Sequence, residues 1–252
     1  MKLTFLGTGT STGVPSIGCE CETCTSSDLR DKRLRVSVLI EHAGQSVLVD
    51  TSSDFRQQAL RYGLKRLDAV LITHCHADHI FGLDDIRPLN FRYGALGLYA
   101  NERAWVDIRR IFKYIFEPSH FGGGLPQVIP HIVEPGAAFC LDKDFLITPL
   151  QVIHGRLPVM AYRFNDFAYA TDLSEIPPET MDLMRGLDAL VLDCLRFKEH
   201  PRAHVAGEGA RVHREDQTQT RLPDAHCARR DARARLGATA AERRVGLRWT
   251  GS

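Results

Sequence analysis

Residues 73–79 read Thr-His-Cys-His-Ala-Asp-His, which places three imidazoles and a carboxylate within six positions. His74 and His76 are two apart, so in an extended segment they point the same way. Asp78 and His79 follow where the chain must turn into a helical stretch, which brings them back beside the first pair. Three imidazoles and a carboxylate suit a borderline cation such as Zn2+, with Mn2+ or Fe as alternatives. A chance surface cluster of histidines would not follow an apolar strand, and residues 69–73 are one.

A second cluster lies in Gly18-Cys19-Glu20-Cys21-Glu22-Thr23-Cys24. Three thiolates this close supply most of a Cys3His structural zinc site and need one distant fourth ligand. The chain has 7 cysteines, and an odd number with three crowded together fits metal-bound thiolates in a reducing compartment better than a disulfide framework. Cys75, Cys140 and Cys194 are expected to be ordinary buried thiols.

The elements that must position these residues are short and alternate in type. Alternation and apolar runs predict strands over 2–6, 36–41, 46–49, 69–73, 96–99, 128–133, 145–153, 159–164, 167–170 and 189–192. Helical spacing predicts helices over 53–62, 80–89 (closed by Pro88), 102–116 and 177–185. The candidate ligands fall at or just past strand ends, so they can converge on one edge of stacked sheets while the strands stay buried. The mixture predicts an α/β (α+β) domain: two sheets face to face with helices outside.

His-x-His-x-Asp-His after an apolar strand resembles the metallo-β-lactamase superfamily. The resemblance continues with Asp50 after the 36–49 hairpin, His154 after the strand at 145–153, and Asp172 in Tyr169-Ala170-Thr171-Asp172. It implies an αββα sandwich over residues 1–201. In that pattern His74, His76 and His154 bind one metal, Asp78 and His79 bind another, and Asp172 bridges both. Asp50 would orient a ligand imidazole, and Asp78 and Asp50 are the candidate catalytic carboxylates. GTGTSTGVPSIGCECETC together with THCHADH looks like the phosphodiesterase branch associated with carbon–phosphorus lyase, which opens cyclic ribose phosphates.

Two cations about 3.5–4 Å apart can acidify a bridging water and clamp the attacking and leaving oxygens of a displacement. The expected activity is therefore hydrolysis of a small cyclic or nucleotide-like phosphate ester, with two Zn2+ (or Mn2+) at the active site and one structural Zn2+. Alternatives within the fold are a thioesterase or lactonase and a tRNA 3′-processing-type hydrolase. From a different class comes a non-catalytic metal-binding protein with an RNA-binding tail. A formal charge of +1 gives no general affinity for nucleic acid or an anionic membrane. With no signal-like start and no apolar run near the ~20 residues of a membrane span, the expectation is a cytoplasmic protein. Its partner is a small phosphate ester, nucleic acid and membrane are not expected partners, and a homodimer is compatible with the sequence.

The composition changes after Pro201. Residues 202–252 hold 11 Arg, 10 Ala, and no Lys, Ile, Phe, Tyr or Met. One reading is a basic tail for nucleic acid or a partner. The favoured reading is a shifted frame. Codons can be chosen for RLPDAHCARRDA, from Arg221 onward, that one nucleotide later give AYLTHIAHDVMH, an apolar strand with two histidines three apart. The family pattern wants those two ligands, and they would stand where Ala225 and Ala228 are; the neighbouring His226 and Cys227 are not candidates. On this reading the last strands and helix are missing from the sandwich, and the chain's own activity and stability are impaired.

Overall fold

The computed structural model describes residues 1–117 and 124–193. Strands β1 (Lys2–Gly7), β2 (Ser37–His42) and β3 (Gln45–Val49) form an antiparallel meander. β4 (Ala69–Leu71), β5 (Leu96–Ala100) and β6 (Val128–Ile132) extend it in parallel, completing a six-stranded sheet in sequence order. β7 (Phe139–Asp142), β8 (Phe145–His154), β9 (Leu157–Phe164) and β10 (Phe167–Ala170) are antiparallel, and β11 (Ala189–Leu192) runs parallel to β10, giving a five-stranded sheet ordered β11-β10-β9-β8-β7. The helices are α1 (Glu22–Thr25), α2 (Phe55–Tyr62), α3 (Ala77–Ile80), α4 (Arg87–Tyr93), α5 (Glu102–Ile111), α6 (Lys113–Phe116) and α7 (Pro178–Leu183). No helix among the described residues is long and apolar enough to cross a membrane.

Period-2 alternation divides each sheet into two apolar faces. Val38, Ile40, Val47, Val49 and Leu71 of the first sheet meet Phe145, Ile147, Met160, Tyr162 and Phe164 of the second. Leu39, Leu48, Val70 and Leu98 turn the other way, onto Phe55, Ile80, Trp105 and Ile108 of the helical layer. Leu150, Val152, Ala161 and Leu190 pack outward on Leu173, Met184 and Leu187 around α7. The architecture is the expected αββα sandwich. Each fully buried aliphatic chain here contributes roughly 1.5–3 kcal/mol relative to exposure.

Several local expectations change. Residues 80–89 are not one helix: α3 stops at Ile80, a 3-10 turn covers Leu83–Ile86, and α4 begins at Arg87 with Pro88 in its first turn. Pro88 opens a helix instead of closing one, because a first-turn N–H has no intrahelical partner to lose. Gly82 permits the intervening bend, since a Cβ there would lie 2.1 Å from the Ser52 carbonyl oxygen. The helix expected over 102–116 breaks at Phe112, whose φ of −104° and ψ of 39° separate α5 from α6 while its ring is buried against Phe81. β7 was not expected; its four residues form a strand by pairing with β8. The thiols also differ. Cys140 is exposed and Cys75 only half-buried, because Cys140 lies on β7, the outer strand of its sheet among the described residues. Cys194, and the whole of 202–252 with its shifted-frame reading, lie outside the described residues.

Candidate metal centre

β3 and β4 run parallel with Val49 opposite Leu71, so they end level and deliver Asp50 and Thr73 side by side. Asp50 takes a left-handed backbone, φ 63°, and its amide donates to the Leu71 carbonyl at 2.9 Å. That bend aims its carboxylate at the other chain. Oδ1 accepts from the Thr73 amide at 2.8 Å, and Oδ2 accepts from the Thr73 hydroxyl at 2.7 Å. Oδ2 also lies 2.7 Å from His79 Nδ1. Asp50 and His79 are both essentially sealed from solvent.

Past Thr73 the chain stays extended through His76, which is the N-cap of α3. The first turn of that helix returns Asp78 and His79 beneath His74; the His74 and His79 ring centroids are 4.0 Å apart. His74 Nε2 lies 2.8 Å from His76 Nδ1. From the second sheet, β8 ends at His154, whose ring centroid is 5.6 Å from that of His74 and 5.4 Å from that of His76. β10 ends at Ala170, and Asp172 follows with φ 54°. Its Oδ2 sits 3.2 Å from His79 Nε2 and 3.7 Å from His74 Nε2. Ser174 stitches these strand ends together: its amide and hydroxyl donate to the Ile153 carbonyl at 2.7 and 3.0 Å, and its Oγ accepts from the Gly155 amide at 2.9 Å. Two left-handed aspartates at one site are stored backbone strain of the kind that concentrates where function fixes a side chain.

The electrostatics follow from burial and neighbours. Burial, then the charge of His79, pushes the His74 imidazole well below its ordinary value, and burial and His154 lower His76. Burial opposes charge on His79 too, but Asp50 and Asp172 on either side outweigh it and raise its pKa well above the usual. Burial would raise Asp172; the His79 imidazolium overcomes this and holds the carboxyl well below the ordinary carboxylate range. Asp78 is likewise held down by His79 against burial.

Donor atoms of His74, His76, His154 and Asp172 all lie within 4.8 Å of one another, as do those of Asp78, His79 and Asp172. That span fits ligands about 2.0–2.2 Å from a shared cation. Thr73 Oγ1 is 3.0 Å from His74 Nδ1, and Asp50 engages His79 Nδ1, so each ring turns its Nε2 inward, as metal-ligating imidazoles do. The residues present therefore fit a metal. The candidates His74, His76, Asp78, His79, His154 and Asp172 come together, with Asp50 directly behind them. Thr73 was missed, although it stands next to the histidines in the sequence; its hydroxyl becomes informative only once Asp50 is known to face it.

The thiols of Cys19, Cys21 and Cys24 also lie within 4.8 Å of one another. The Ser16 amide donates to Cys24 Sγ at 3.4 Å and the Cys24 amide to Cys21 Sγ at 3.5 Å. The expected fourth ligand, at the position of Ala228, lies outside the described residues.

The family model described as a beta-lactamase superfamily domain matches residues 45–243. The structure of a new diphosphatase from the PhnP family is 41% identical, covers 94% of this chain and 92% of its own, and superposes with a TM-score of 0.83. The octanoyltransferase of Porphyromonas gingivalis (strain ATCC BAA-308 / W83) is 41% identical over 203 residues, 80% of this chain and 41% of that protein. Ribonuclease Z of Synechococcus sp. (strain CC9902) is 28% identical over 214 residues, 77% of this chain and 60% of that protein. The chain thus spans less than two thirds of the length of these two curated relatives. With its two facing sheets and its histidine–aspartate cluster at their shared edge, the chain belongs to the β-lactamase superfamily, in the branch that holds the PhnP-family diphosphatase.

Proposed function

We propose that the chain is a metal-dependent phosphodiesterase acting on a small cyclic or nucleotide-like phosphate ester. The observation that carries this reading is the sharing of Asp172 between two donor groups: a constellation for two neighbouring cations suits a phosphoryl centre, where charge must be neutralised on more than one oxygen. The diphosphatase relative supports it, being matched over nearly the whole of both chains. The octanoyltransferase name belongs to a protein of which the matched span is 41%.

On this reading His74, His76, His154 and Asp172 hold one divalent cation and Asp78, His79 and Asp172 a second, Zn2+ or Mn2+, with a structural Zn2+ at Cys19, Cys21 and Cys24. Such cations supply Lewis-acid stabilisation of charge at phosphorus and acidify water. The rest is the work of the chain. Asp50 and Thr73 fix the rings of His79 and His74 so that neither can rotate its inward nitrogen away. Asp78 and Asp172 would offset two of the four positive charges that two divalent cations bring, leaving the centre net positive toward an anionic ester. The strand ends exclude water from beneath, so a substrate approaches from the open edge only.

The test is turnover. Protein loaded with Zn2+ or Mn2+ should hydrolyse bis(p-nitrophenyl) phosphate and a cyclic phosphate, slowly in the chain as it stands and faster once the frame near codon 201 is restored, and Asp172→Ala should abolish both. Hydrolysis of an octanoyl thioester or a lactone in preference to every diester would move the assignment to acyl chemistry. The ribonuclease Z relatives favour a second reading, a tRNA 3′-processing hydrolase, and cleavage of precursor tRNA in the same assay would establish it.

A further inference from the structure

Residues 8–24 carry Cys19, Cys21 and Cys24, and burial does little to hold them. Of residues 15–24 only Cys24 is buried, and Ile17 is fully exposed. A segment with so few apolar contacts draws its order from cross-links. Several links run to one stretch, 32–35. Lys32 Nζ donates to the Cys24 carbonyl at 3.0 Å. Val14 and Arg33 exchange backbone bonds at 2.9 and 2.8 Å, and the Gly9 amide donates to the Leu34 carbonyl at 2.7 Å.

Arg35 joins that stretch to the metal centre. Its Nε donates to the Ser11 carbonyl at 2.8 Å, while its amide and Nη1 donate to the two oxygens of Asp54 at 2.8 and 2.7 Å. Its carbonyl accepts from Gln58 Nε2 at 2.7 Å, and the Ser52 hydroxyl donates to Gln58 Oε1 at 3.4 Å; Ser52 and Gln58 are both buried. Two residues on, the Ser37 hydroxyl donates to the Asp50 carbonyl at 2.8 Å. One side chain thus touches the thiol loop on one side and, on the other, the segment 50–54, whose first residue orients His79.

We infer that Arg35 is a positioning residue that couples the thiol cluster to the metal centre. An ion bridging the three thiols orders the loop, and through Arg35 it steadies Asp50 and strengthens the cation bound by Asp78, His79 and Asp172. This rests on the two-cation reading above and adds a regulator to that centre. The physical basis is the ordering of the loop: freedom already lost to one ligand does not oppose the next. Arg35 suits the role because its planar fork holds Asp54 and Ser11 in one geometry, which a flexible ammonium would not. Such coupling is reciprocal, so metal at the centre also protects the thiols.

The experiment uses two probes with different sites on the full chain. Arsenite closes three thiols without a fourth ligand, forming three As–S bonds and releasing three waters. Mn2+ is a hard ion that prefers the imidazole and carboxylate donors to thiolates. In calorimetric titration of wild type, arsenite should raise the affinity for Mn2+ about 5-fold or more. In Arg35→Ala arsenite should still protect the thiols but leave the Mn2+ affinity unmoved. Arg30→Ala, which removes an exposed cation paired with Asp28, should keep the whole effect. No effect of arsenite in wild type, a full effect in Arg35→Ala, or thiols that stay reactive in arsenite overturns the inference. If Arg35→Ala does not fold, Asp54→Asn decides, since an amide offers one acceptor where Arg35 uses two; an undiminished effect there also overturns it. If Mn2+ binds in no state, the two-cation reading fails by itself, and hydrogen exchange decides the coupling. The Thr73 amide, which donates to Asp50, should then exchange more slowly in arsenite-treated wild type and at an unchanged rate in treated Arg35→Ala; the same response in both overturns the inference.

Discussion

Asp50 Oδ2 and His79 Nδ1 are 2.7 Å apart inside a shell that excludes solvent from both. The left-handed turn at Asp50 exists to make that contact, since the same carboxylate also accepts from the backbone and side chain of Thr73. A single residue thus orients His79 and anchors the segment that carries His74.

Asp50→Asn should weaken the cation held by Asp78, His79 and Asp172 more than the one held by His74, His76, His154 and Asp172. Loss of an orienting carboxylate behind a ligand histidine typically costs about 10- to 100-fold in affinity. Competition against a chromophoric chelator should show one site loosening while the other holds. Parallel loosening of both would mean that Asp50 acts through the fold alone.

Tyr162 is fully buried between the sheets, and its hydroxyl donates to the Ile72 carbonyl at 2.8 Å. Tyr162→Phe leaves that carbonyl without its donor just before the histidine segment, at a cost of about 1–3 kcal/mol. The melting temperature should drop by roughly 2–10 °C. A change below 1 °C, within the scatter of such scans, would show that the contact contributes nothing net.

Lys2, Glu41 and Tyr62 form a half-exposed cluster, with Lys2 Nζ 2.5 Å from Glu41 Oε2 and Tyr62 Oη 2.7 Å from the same oxygen. The Glu41 bond raises Lys2 above its ordinary 10.5. Burial would raise Glu41, but Lys2 and Tyr62 outweigh it and hold the carboxyl below 4.5. A depressed acid stabilises the fold above its unfolded value and loses that contribution as pH falls through the folded one. A raised base stabilises below its unfolded value and loses that contribution as pH rises through the folded one. The cluster therefore helps between these limits and fails at both ends. Glu41→Gln should cost about 0.5–1 kcal/mol near neutrality, less in salt because both side chains reach solvent. The gap should shrink as pH falls below 4.5 and close as it passes through the lowered folded value. A constant difference across pH would exclude the ionic origin.

The shifted frame proposed for 202–252 predicts a chain whose structural zinc is incompletely ligated. With zinc present, Cys19, Cys21 and Cys24 should react with a thiol reagent faster in the chain as it stands than in one restored by a single-nucleotide step near codon 201. The restored chain should also bind more metal and melt higher. Equal thiol reactivity, metal content and melting in the two proteins would establish the Arg-rich sequence as a working part of the molecule, and the nucleotide sequence there checks the same point directly.

Much of this was legible in the residues because the chemistry is local. THCHADH occupies consecutive positions, and the strand before it and the helix after it dictate how its side chains fold back. Val38, Ile40, Val47 and Val49 stand in unbroken apolar runs with Leu39 and Leu48, which announce strands buried on both faces but not which face meets the other sheet. Pro88 misled because a proline both ends helices and begins them, and the break before it falls near Gly82, where a side chain would collide with the Ser52 carbonyl. β7 was invisible because its strand character comes from β8. Thr73 was unreadable for the same reason: it gains meaning from Asp50, 23 residues away.

The donors of the centre are divided between the two sheets: His74, His76, Asp78 and His79 come from the first, His154 and Asp172 from the second. A cation held by both groups is thus a fastener across the sandwich, and its ligands meet only when the sheets have docked. Contacts completed that late do little for the speed of folding and act on the reverse rate. Metal loading should therefore lengthen the lifetime of the folded chain, slowing unfolding in denaturant while leaving the refolding limb nearly unmoved, so that the centre acts as a timer on the molecule's persistence as well as a place for chemistry.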